Sequence, residues 1–256
     1  MLENLQCSPF FNEIMKKQVL MGLVAVCLPL LLSAQQGKLA ANQFYGTVFI
    51  DETTVLEGIV ELNGNENTPW DIQKRVRFFT EEQLAAGRVR RRDKQEFRPG
   101  DILGFQVGER IFLSRRYAAE SLLRGAPEGD YLFLELLVDG PLQLFNFFDA
   151  PPPVRVGTSE RLERSDEDYR SNPDILIGRP GERLRDIAFI DVADYIGDSE
   201  EVMERYHNGY YGIKPVNHEE RRGLGRFVAQ AIDKQARREL VMPLVLDYNA
   251  SMESRR

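Results

Sequence analysis

The sequence predicts an α+β fold, with an antiparallel β-sheet in the N-terminal half followed by a helical C-terminal part. Apolar residues alternate with others over Phe97–Tyr117, which is the period of strands with one buried face. A second alternating stretch, interrupted by an Asp139-Gly140 turn, spans Tyr131–Phe148. From Glu182 onward the apolar residues are spaced by three or four, as on one face of a helix. We therefore expect a small barrel or a sandwich-like sheet, followed by helices.

The overall composition is that of a globular protein that does not bind nucleic acid. The chain has 256 residues, of which 43% are hydrophobic and 29% charged, enough for one large domain or two small ones. Its formal net charge is −7. Because nucleic-acid phosphates attract basic proteins, this charge argues against a nucleic-acid partner.

The N-terminus has the pattern of a secretory signal peptide. Two lysines after Met15 precede a mostly apolar run over residues 19–32, and Ser33-Ala34 supplies small residues at its end. We interpret residues 1–34 as upstream sequence and a signal peptide of about 15–34, starting at Met15 and cleaved after Ala34. The apolar run has 14 residues and contains Pro29, whereas a spanning helix needs ~20. We expect no permanent transmembrane anchor after cleavage.

Both cysteines, Cys7 and Cys27, precede the predicted cleavage point. The processed chain would therefore contain no disulfide, no thiol nucleophile and no cysteine-ligated metal. These features predict an exported protein, periplasmic or at the cell surface, whose stability depends on its core.

The β-rich domain is predicted over residues 43–149, with the central hairpin in Phe97–Tyr117. A two-residue loop at Gly108-Glu109 would pair Phe105 with Phe112. A three-residue loop would instead place Leu103, Phe105 and Val107 on the same face as Ile111 and Leu113. We prefer the three-residue loop, because it keeps the apolar residues together.

The second hairpin is predicted to supply much of the core. Its returning strand, 142–148, is apolar on both faces, which is typical of a strand covered on both sides. The residues concerned are Leu142, Leu144, Phe145, Phe147 and Phe148. The alternative is that these aromatic residues line a ligand groove.

A linker with a short strand is predicted over residues 150–181, and the helical part over 182–250. The first helix is expected from Glu182 to Tyr195, and the next over Glu200–His207, where Asp198 and Glu201 resemble a capping box. A further helix is expected from Asn217. Pro243 is expected to interrupt or kink the last segment.

No catalytic, cofactor-binding or metal-binding residue is predicted. His207 and His218 are the only histidines, and their spacing matches no standard ligand motif. The chain has neither the G-x-S-x-G nucleophile elbow nor a phosphate-binding loop. Carboxylates are plentiful, so a carboxylate pair is the one catalytic device that the composition leaves open.

The chain has one basic cluster. It comprises Arg88, Arg90, Arg91, Arg92 and Lys94. One interpretation is a contact with phosphate, lipid headgroups or another polyanion. The alternative is a solvated face, offset by Glu81, Glu82, Asp93 and Glu96.

The order of several motifs resembles a group of uncharacterised exported, β-rich proteins common in Bacteroidota. The motifs are the Pro99-Gly100-Asp101-Ile102 turn, the Asp139-Gly140 hairpin, the segment 195–198 and Tyr248-Asn249. Members often have a cysteine soon after the position of Asp198, where this chain has Ser199. The resemblance implies export and a β-then-helix order, and it implies no activity.

Three functional hypotheses follow. The leading one is a non-catalytic exported protein with a binding or structural role in the cell envelope, whose partner is an envelope protein or glycan. The alternatives are an exported carboxylate-dependent hydrolase, and an envelope module that contacts anionic lipid or glycan through the basic cluster.

Overall fold

The computed structural model describes residues 39–87, 89–118, 129–151, 166–188, 190–212 and 225–255. They form a ten-stranded antiparallel sheet followed by helices, which confirms the predicted α+β class. The strands are β1 Gln43–Phe49, β2 Val55–Leu62, β3 Val76–Phe79, β4 Gln95–Phe97, β5 Gly104–Val107, β6 Arg110–Tyr117, β7 Asp130–Val138, β8 Gln143–Phe147, β9 Asp174–Gly178 and β10 Arg185–Asp186. The helices are α1 Pro69–Ile72, α2 Glu81–Ala85, α3 Asp166–Ser171, α4 Ala193–Ile196, α5 Glu200–His207 and α6 Gly225–Glu253, with a 3₁₀ turn at Arg91–Asp93.

The strand order is β10-β9-β8-β7-β6-β5-β1-β2-β3-β4, and each neighbouring pair is antiparallel. The first strand lies inside the sheet, between β2 and β5, so it joins two meanders. The order is open, and its edges are β4 and β10, of three and two residues. Such short edges offer little backbone for pairing with another chain.

The register of the central hairpin was predicted wrongly. β5 and β6 are joined by a two-residue loop, so Phe105 faces Phe112 and Val107 faces Arg110. Gly108 has a φ of +57°, a left-handed value suited to a two-residue hairpin turn. Arg110 is accommodated beside the apolar face because its guanidinium lies over the Phe112 ring, 4.9 Å from the centroid.

The second hairpin confirms the prediction that its returning strand is covered on both faces. Leu144 packs with the cluster beneath the helices, whereas Phe145 packs with a cluster on the opposite face of the sheet. Both side chains and that of Leu142 are fully buried. Phe147 and Phe148 are half-buried. Leu142, Leu144 and Phe145 are therefore core residues of the sheet.

A separate apolar core fills the other half of the sheet, from β7 across β6, β5, β1, β2 and β3 to β4. Its largest members include Phe105, which stacks on Phe112 at 4.7 Å and meets Phe133 edge-on at 5.1 Å between ring centroids. Phe105 and Phe133 are fully buried. The central hairpin thus contributes the aromatic centre of this core.

The helix predicted from Glu182 to Tyr195 is replaced by β10, turns and the short α4. Ile187 donates its backbone N–H to Ile175 O of β9, and Ala188 donates to the Asp186 carboxylate. Because these backbone groups bond to the sheet and to a side chain, they are not available for helical hydrogen bonds. Leu184, Ile187, Ala188 and Val192 are buried in non-helical chain, whereas Tyr195 is half-buried and lies in α4.

Helix α5 has the predicted bounds, and it ends at Asn208-Gly209 as expected. The predicted capping role of Asp198 is wrong. Ser199 occupies the N-cap position and makes no side-chain cap hydrogen bond. Its fully buried hydroxyl instead lies 2.9 Å from the Ser251 hydroxyl of α6.

Helix α6 runs through Pro243 without interruption. Val241, Leu244, Val245 and Tyr248 pack onto the sheet and onto α5. The helix start predicted at Asn217 lies outside the described residues. Among the described helices, none has the length and apolarity that crossing a bilayer requires.

Candidate functional site

The structure divides the basic cluster into two parts. Arg90, Arg91 and Arg92 are exposed on and beside the 3₁₀ turn. Lys94 turns inward, where its side chain is 11% exposed, and it forms an ion pair with Glu61 of β2. Its ammonium also lies over the Phe79 ring. Arg88 lies outside the described residues.

Glu61 belongs to a row of polar side chains that crosses four strands in register. Gln43, Glu61, Arg77 and Glu96 are cross-strand partners on β1, β2, β3 and β4. Glu61 accepts from Gln43 Nε2 at 2.7 Å and from Arg77 Nη1 at 3.2 Å, and Arg77 Nε donates to Glu96 at 3.0 Å. Although Glu61 is charged, it is only 8% exposed. The row therefore ties one end of the sheet together.

The pKa of Glu61 reflects this environment. Burial acts to raise the pKa of this carboxyl, but the hydrogen bonds from Lys94, Gln43 and Arg77 outweigh burial and lower it. For Glu96 the same competition also ends in a lowered pKa, with Arg77 as the main hydrogen-bond donor. Both groups are held as carboxylates, as expected for structural ion pairs.

A second polar cluster holds the C-terminal helix to the rest of the fold. We call Asp247, Tyr248 and Asn249 of α6 the C-terminal clamp, because the three side chains reach three different parts of the chain. Asn249 donates to the carbonyls of Asp139, at 3.1 Å, and Leu142, at 2.9 Å. Its own oxygen accepts from Leu142 N at 2.9 Å. The side-chain amide of Asn249 thus makes the hydrogen bonds to the β7–β8 turn that a backbone amide of a neighbouring strand would otherwise make.

The tight fit of this turn explains its glycine. A Cβ on Gly140 would lie 2.5 Å from Asn249 Nδ2, and the residue has a φ of +143°. Both facts disfavour any other residue at this position. Gly140 and Asn249 are therefore a matched pair.

Tyr248 joins the helix to two loops. Its hydroxyl donates to Asp198 Oδ2 at 3.0 Å and accepts from Arg179 Nη1 at 3.2 Å. Arg179 also donates to Tyr195 O at 2.8 Å. Burial, followed by the hydrogen bond to Asp198, raises the pKa of Tyr248 to about 12. This hydroxyl stays protonated at neutral pH.

The third clamp residue, Asp247, connects α6 to α5 and to the turn that follows it. Asp247 Oδ2 accepts from Tyr211 Oη at 2.8 Å and from Arg205 Nη1 at 2.9 Å. Burial and the hydrogen bond to Asp247 raise the pKa of Tyr211 to about 12. Tyr248 of the clamp and its neighbour Tyr211 therefore both act as hydrogen-bond donors.

A smaller polar seam lies on the face of the sheet that carries the apolar cores. Glu135 of β7 accepts from Arg110 Nε at 2.7 Å and from Asn146 Nδ2 at 3.0 Å. Asn146 is 4% exposed, and its Oδ1 has no hydrogen-bond partner among the residues that the structure describes. The seam links β6, β7 and β8, where Glu135 lies opposite both Phe112 and Asn146.

These clusters do not form a recognisable catalytic device. Among the described residues no group of three or more histidine, cysteine, aspartate or glutamate side chains is placed to hold a metal ion. His207 is exposed, and His218 lies outside the described residues. A carboxyl that acts as a general acid needs a raised pKa. The shifts resolved for carboxyl groups, at Asp51, Glu61, Glu82 and Glu96, are all downward.

No protein-family model matches the chain, and neither the curated proteins nor the solved structures contain a significant match. The resemblance to the exported group therefore stays a prediction. Three of its four motifs nevertheless meet at the C-terminal clamp, since Asn249 contacts the Asp139-Gly140 turn and Tyr248 contacts Asp198.

Sequence reasoning did not identify the clamp residues as a cluster. Asn249 and Leu142 are 107 positions apart, and Tyr248 and Asp198 are 50 apart, so no local pattern joins them. The available signal was the appearance of both Asp139-Gly140 and Tyr248-Asn249 among the motifs of one resemblance.

Proposed function

We propose that this protein is a non-catalytic exported protein with a binding or structural role in the cell envelope, periplasmic or at the cell surface. Its partner is an envelope protein or glycan. The signal-peptide pattern before Gln35 supports export. The polar clusters of the described residues support a non-catalytic role, because their functional groups bind one another.

The clamp carries this proposal. Tyrosine, arginine and aspartate side chains are common catalytic groups, and the clamp together with its partners Arg179 and Arg205 supplies all three types. Each of them, however, joins α6 to another element, and burial and hydrogen bonding raise the pKa of Tyr248 and of Tyr211 to about 12, which keeps both hydroxyls protonated near neutral pH. Such groups fix a framework on which a binding surface is displayed.

We also propose that the part of the sheet from β1 to β7 curls into a barrel-like form. Gln73 lies between β2 and β3, yet its carbonyl accepts from Phe133 N of β7 at 2.9 Å. Its buried side chain donates to Phe148 O and accepts from Phe148 N, both at 2.8 Å. These bonds join segments that are several strands apart in the sheet order. Slow amide exchange at Phe148 that is lost in Gln73→Ala, which removes the side-chain oxygen that accepts from Phe148 N, would agree with this closure, and unchanged exchange there would contradict it.

Export is tested by the N-terminus of the protein recovered from the envelope fraction. Mass spectrometry should find a chain that begins at or near Gln35. A stable product that retains residues 19–32 would contradict the signal-peptide assignment and favour an anchor. A pull-down of the processed protein from the same fraction would identify the partner.

The absence of catalysis is tested with a panel of ester, peptide and glycoside substrates. We expect no turnover above that of a heat-unfolded sample. Elemental analysis after mild purification should find no stoichiometric transition metal. Activity that is abolished by replacing one aspartate or glutamate, with the fold intact, would establish the carboxylate hydrolase instead.

A further inference from the structure

The exposed part of the basic cluster is a fixed surface feature. We call Arg90, Arg91 and Arg92 the arginine ridge. All three residues are exposed, and the Arg92 side chain is 74% exposed. The ridge lies on a protein whose net charge is −7, so it differs in sign from the molecule as a whole.

The 3₁₀ turn beneath the ridge is held from several directions. Arg90 N donates to Asp93 Oδ2 at 3.1 Å, and Asp93 N donates to Arg90 O at 3.0 Å. Gln83 Nε2 of α2 donates to Asp93 O at 3.0 Å, which ties the turn to a helix. The residue after the turn, Lys94, is anchored by its ion pair with Glu61 and by its contact with the Phe79 ring. The backbone of the turn is thus fixed while its arginine side chains point into solvent.

Three of the acidic residues near the ridge, Asp93, Glu96 and Glu61, are already engaged. Asp93 accepts from Arg90 N, and its only ion pair among the described residues is a long one, 3.6 Å, to Arg92 Nε. Glu96 pairs with Arg77 at 3.0 Å and with Arg75 at 3.8 Å. Glu61 forms ion pairs with Lys94 and Arg77. The charge of Arg91 contributes to the lowered pKa of Glu96, but no guanidinium of the ridge donates a hydrogen bond to a described residue, so most of these donors remain for an external anion.

From this geometry we propose that the arginine ridge binds the phosphate groups of anionic phospholipids at a membrane surface. A guanidinium presents a planar fork of donors that matches phosphate oxygens. A membrane surface offers several phosphates at once to three adjacent arginines. This proposal rests on the proposed envelope function and names the surface that the protein contacts there.

The test is sedimentation with vesicles of phosphatidylcholine containing about 30% phosphatidylglycerol, using the protein purified from its envelope fraction. Each basic residue near an anionic surface strengthens partition about five-fold. Arg90→Gln/Arg91→Gln should therefore weaken binding about 25-fold, and adding Arg92→Gln should bring the loss to roughly 100-fold. Arg183→Gln/Arg255→Gln, which removes the same charge at exposed positions elsewhere, should change binding less than two-fold. Thermal melts establish that all variants remain folded.

Ionic strength and competitors separate the sources of phosphate. Raising the salt from about 0.1 to 1 M shortens the Debye length from about 10 to 3 Å, so it should release the wild-type protein and affect the triple variant little. Competition by 10 mM inorganic phosphate at constant ionic strength would overturn the membrane assignment in favour of a free-phosphate site. Binding to soluble polyphosphate without binding to vesicles would overturn it in favour of a soluble polyanion.

Equal losses in the ridge and control variants, or no vesicle binding by the wild-type protein, would also overturn the proposal. These results leave the N-terminal processing and the substrate panel unaffected. Failure of the ridge can therefore be told apart from failure of the proposed function.

Discussion

Replacing Asn249 with alanine tests whether the C-terminal clamp holds the fold together. The substitution removes one acceptor and one donor group that serve the β7–β8 turn. Leu142 N and Leu142 O are then left without their buried partner. The Asp139 carbonyl, in a half-buried position, can regain a bond to water.

The expected cost follows from these groups. A buried donor or acceptor that loses its partner costs about 1–3 kcal/mol. Two such groups on Leu142 give a loss of about 2–6 kcal/mol, a large part of the 5–15 kcal/mol typical of a folded domain. Asn208→Ala is the matched control, since Asn208 is exposed at the end of α5, and it should cost about 0.5 kcal/mol or less.

Urea unfolding followed by far-ultraviolet circular dichroism measures both losses. Trp70, the only tryptophan, lies in α1 and gives a second signal from outside the clamp. If the fold unfolds as one unit, the two signals share one midpoint, and that midpoint falls in Asn249→Ala. A loss below about 1 kcal/mol, or equal losses for the two asparagine variants, would refute the role assigned to the clamp.

Three further predictions test other parts of the structure. Phe105→Ala should cost about 3–5 kcal/mol in urea, because the ring is fully buried, and Asp101→Ala only about 1 kcal/mol; equal, small effects would misplace the core. In the processed protein, Ser199→Cys/Ser251→Cys should form a disulfide under air and raise the melting temperature, since the hydroxyls are 2.9 Å apart; persistent free thiols would contradict that contact. The lowered pKa of Glu61 means that its stabilisation is present above its ordinary pKa of 4.5 and is lost as pH falls below it. Acidification from pH 6 to 3 should therefore destabilise the wild-type protein more than Glu61→Gln, and identical pH profiles would count against this.

The elements that the sequence predicts best are those whose signals are local. Helix α5 begins and ends at the predicted residues, since its polar start and its Asn208-Gly209 end lie within a few positions of each other. The strand after Asp139-Gly140 is predicted from that turn and from its own apolar residues together. In both cases the turn chemistry and the apolar period indicate the same element.

The central hairpin shows where such a pattern is insufficient. Grouping the apolar residues favoured a three-residue loop, but Leu103 lies outside β5 and is 43% exposed. Arg110 takes a place on the apolar face, where it stacks on Phe112 and pairs with Glu135. An arginine with a ring and a carboxylate beside it can replace an apolar residue, and one of those partners is supplied by β7, 25 residues away.

The prediction of a helix after Glu182 was wrong for a related reason. Spacing by three or four identifies residues that are buried, and Leu184 and Ile187 are indeed buried. It does not reveal whether the backbone bonds to itself or to a neighbouring strand. Here β9 offers a free edge, and Ile187 N bonds to Ile175 O across it. The carbonyl that competes with a helical hydrogen bond therefore comes from another strand of the tertiary structure.

The same argument explains why the polar clusters were not predicted. Glu61 alternates with Val60 and Leu62 in β2, which indicates a solvent-facing position, and it does lie on the face opposite to those two core residues. It is nevertheless buried, because Gln43, Arg77 and Lys94 converge on it from β1, β3 and the residue before β4. Alternation specifies which face of the sheet a side chain occupies, and the residues of the neighbouring strands determine whether that face is exposed to solvent.

The exposure of the arginine ridge has the same explanation. Lys94 and Arg92 belong to one basic run in the sequence, but of the two only Lys94 has a buried carboxylate within reach. The Lys94 side chain is therefore buried in an ion pair, while the Arg92 side chain stays exposed.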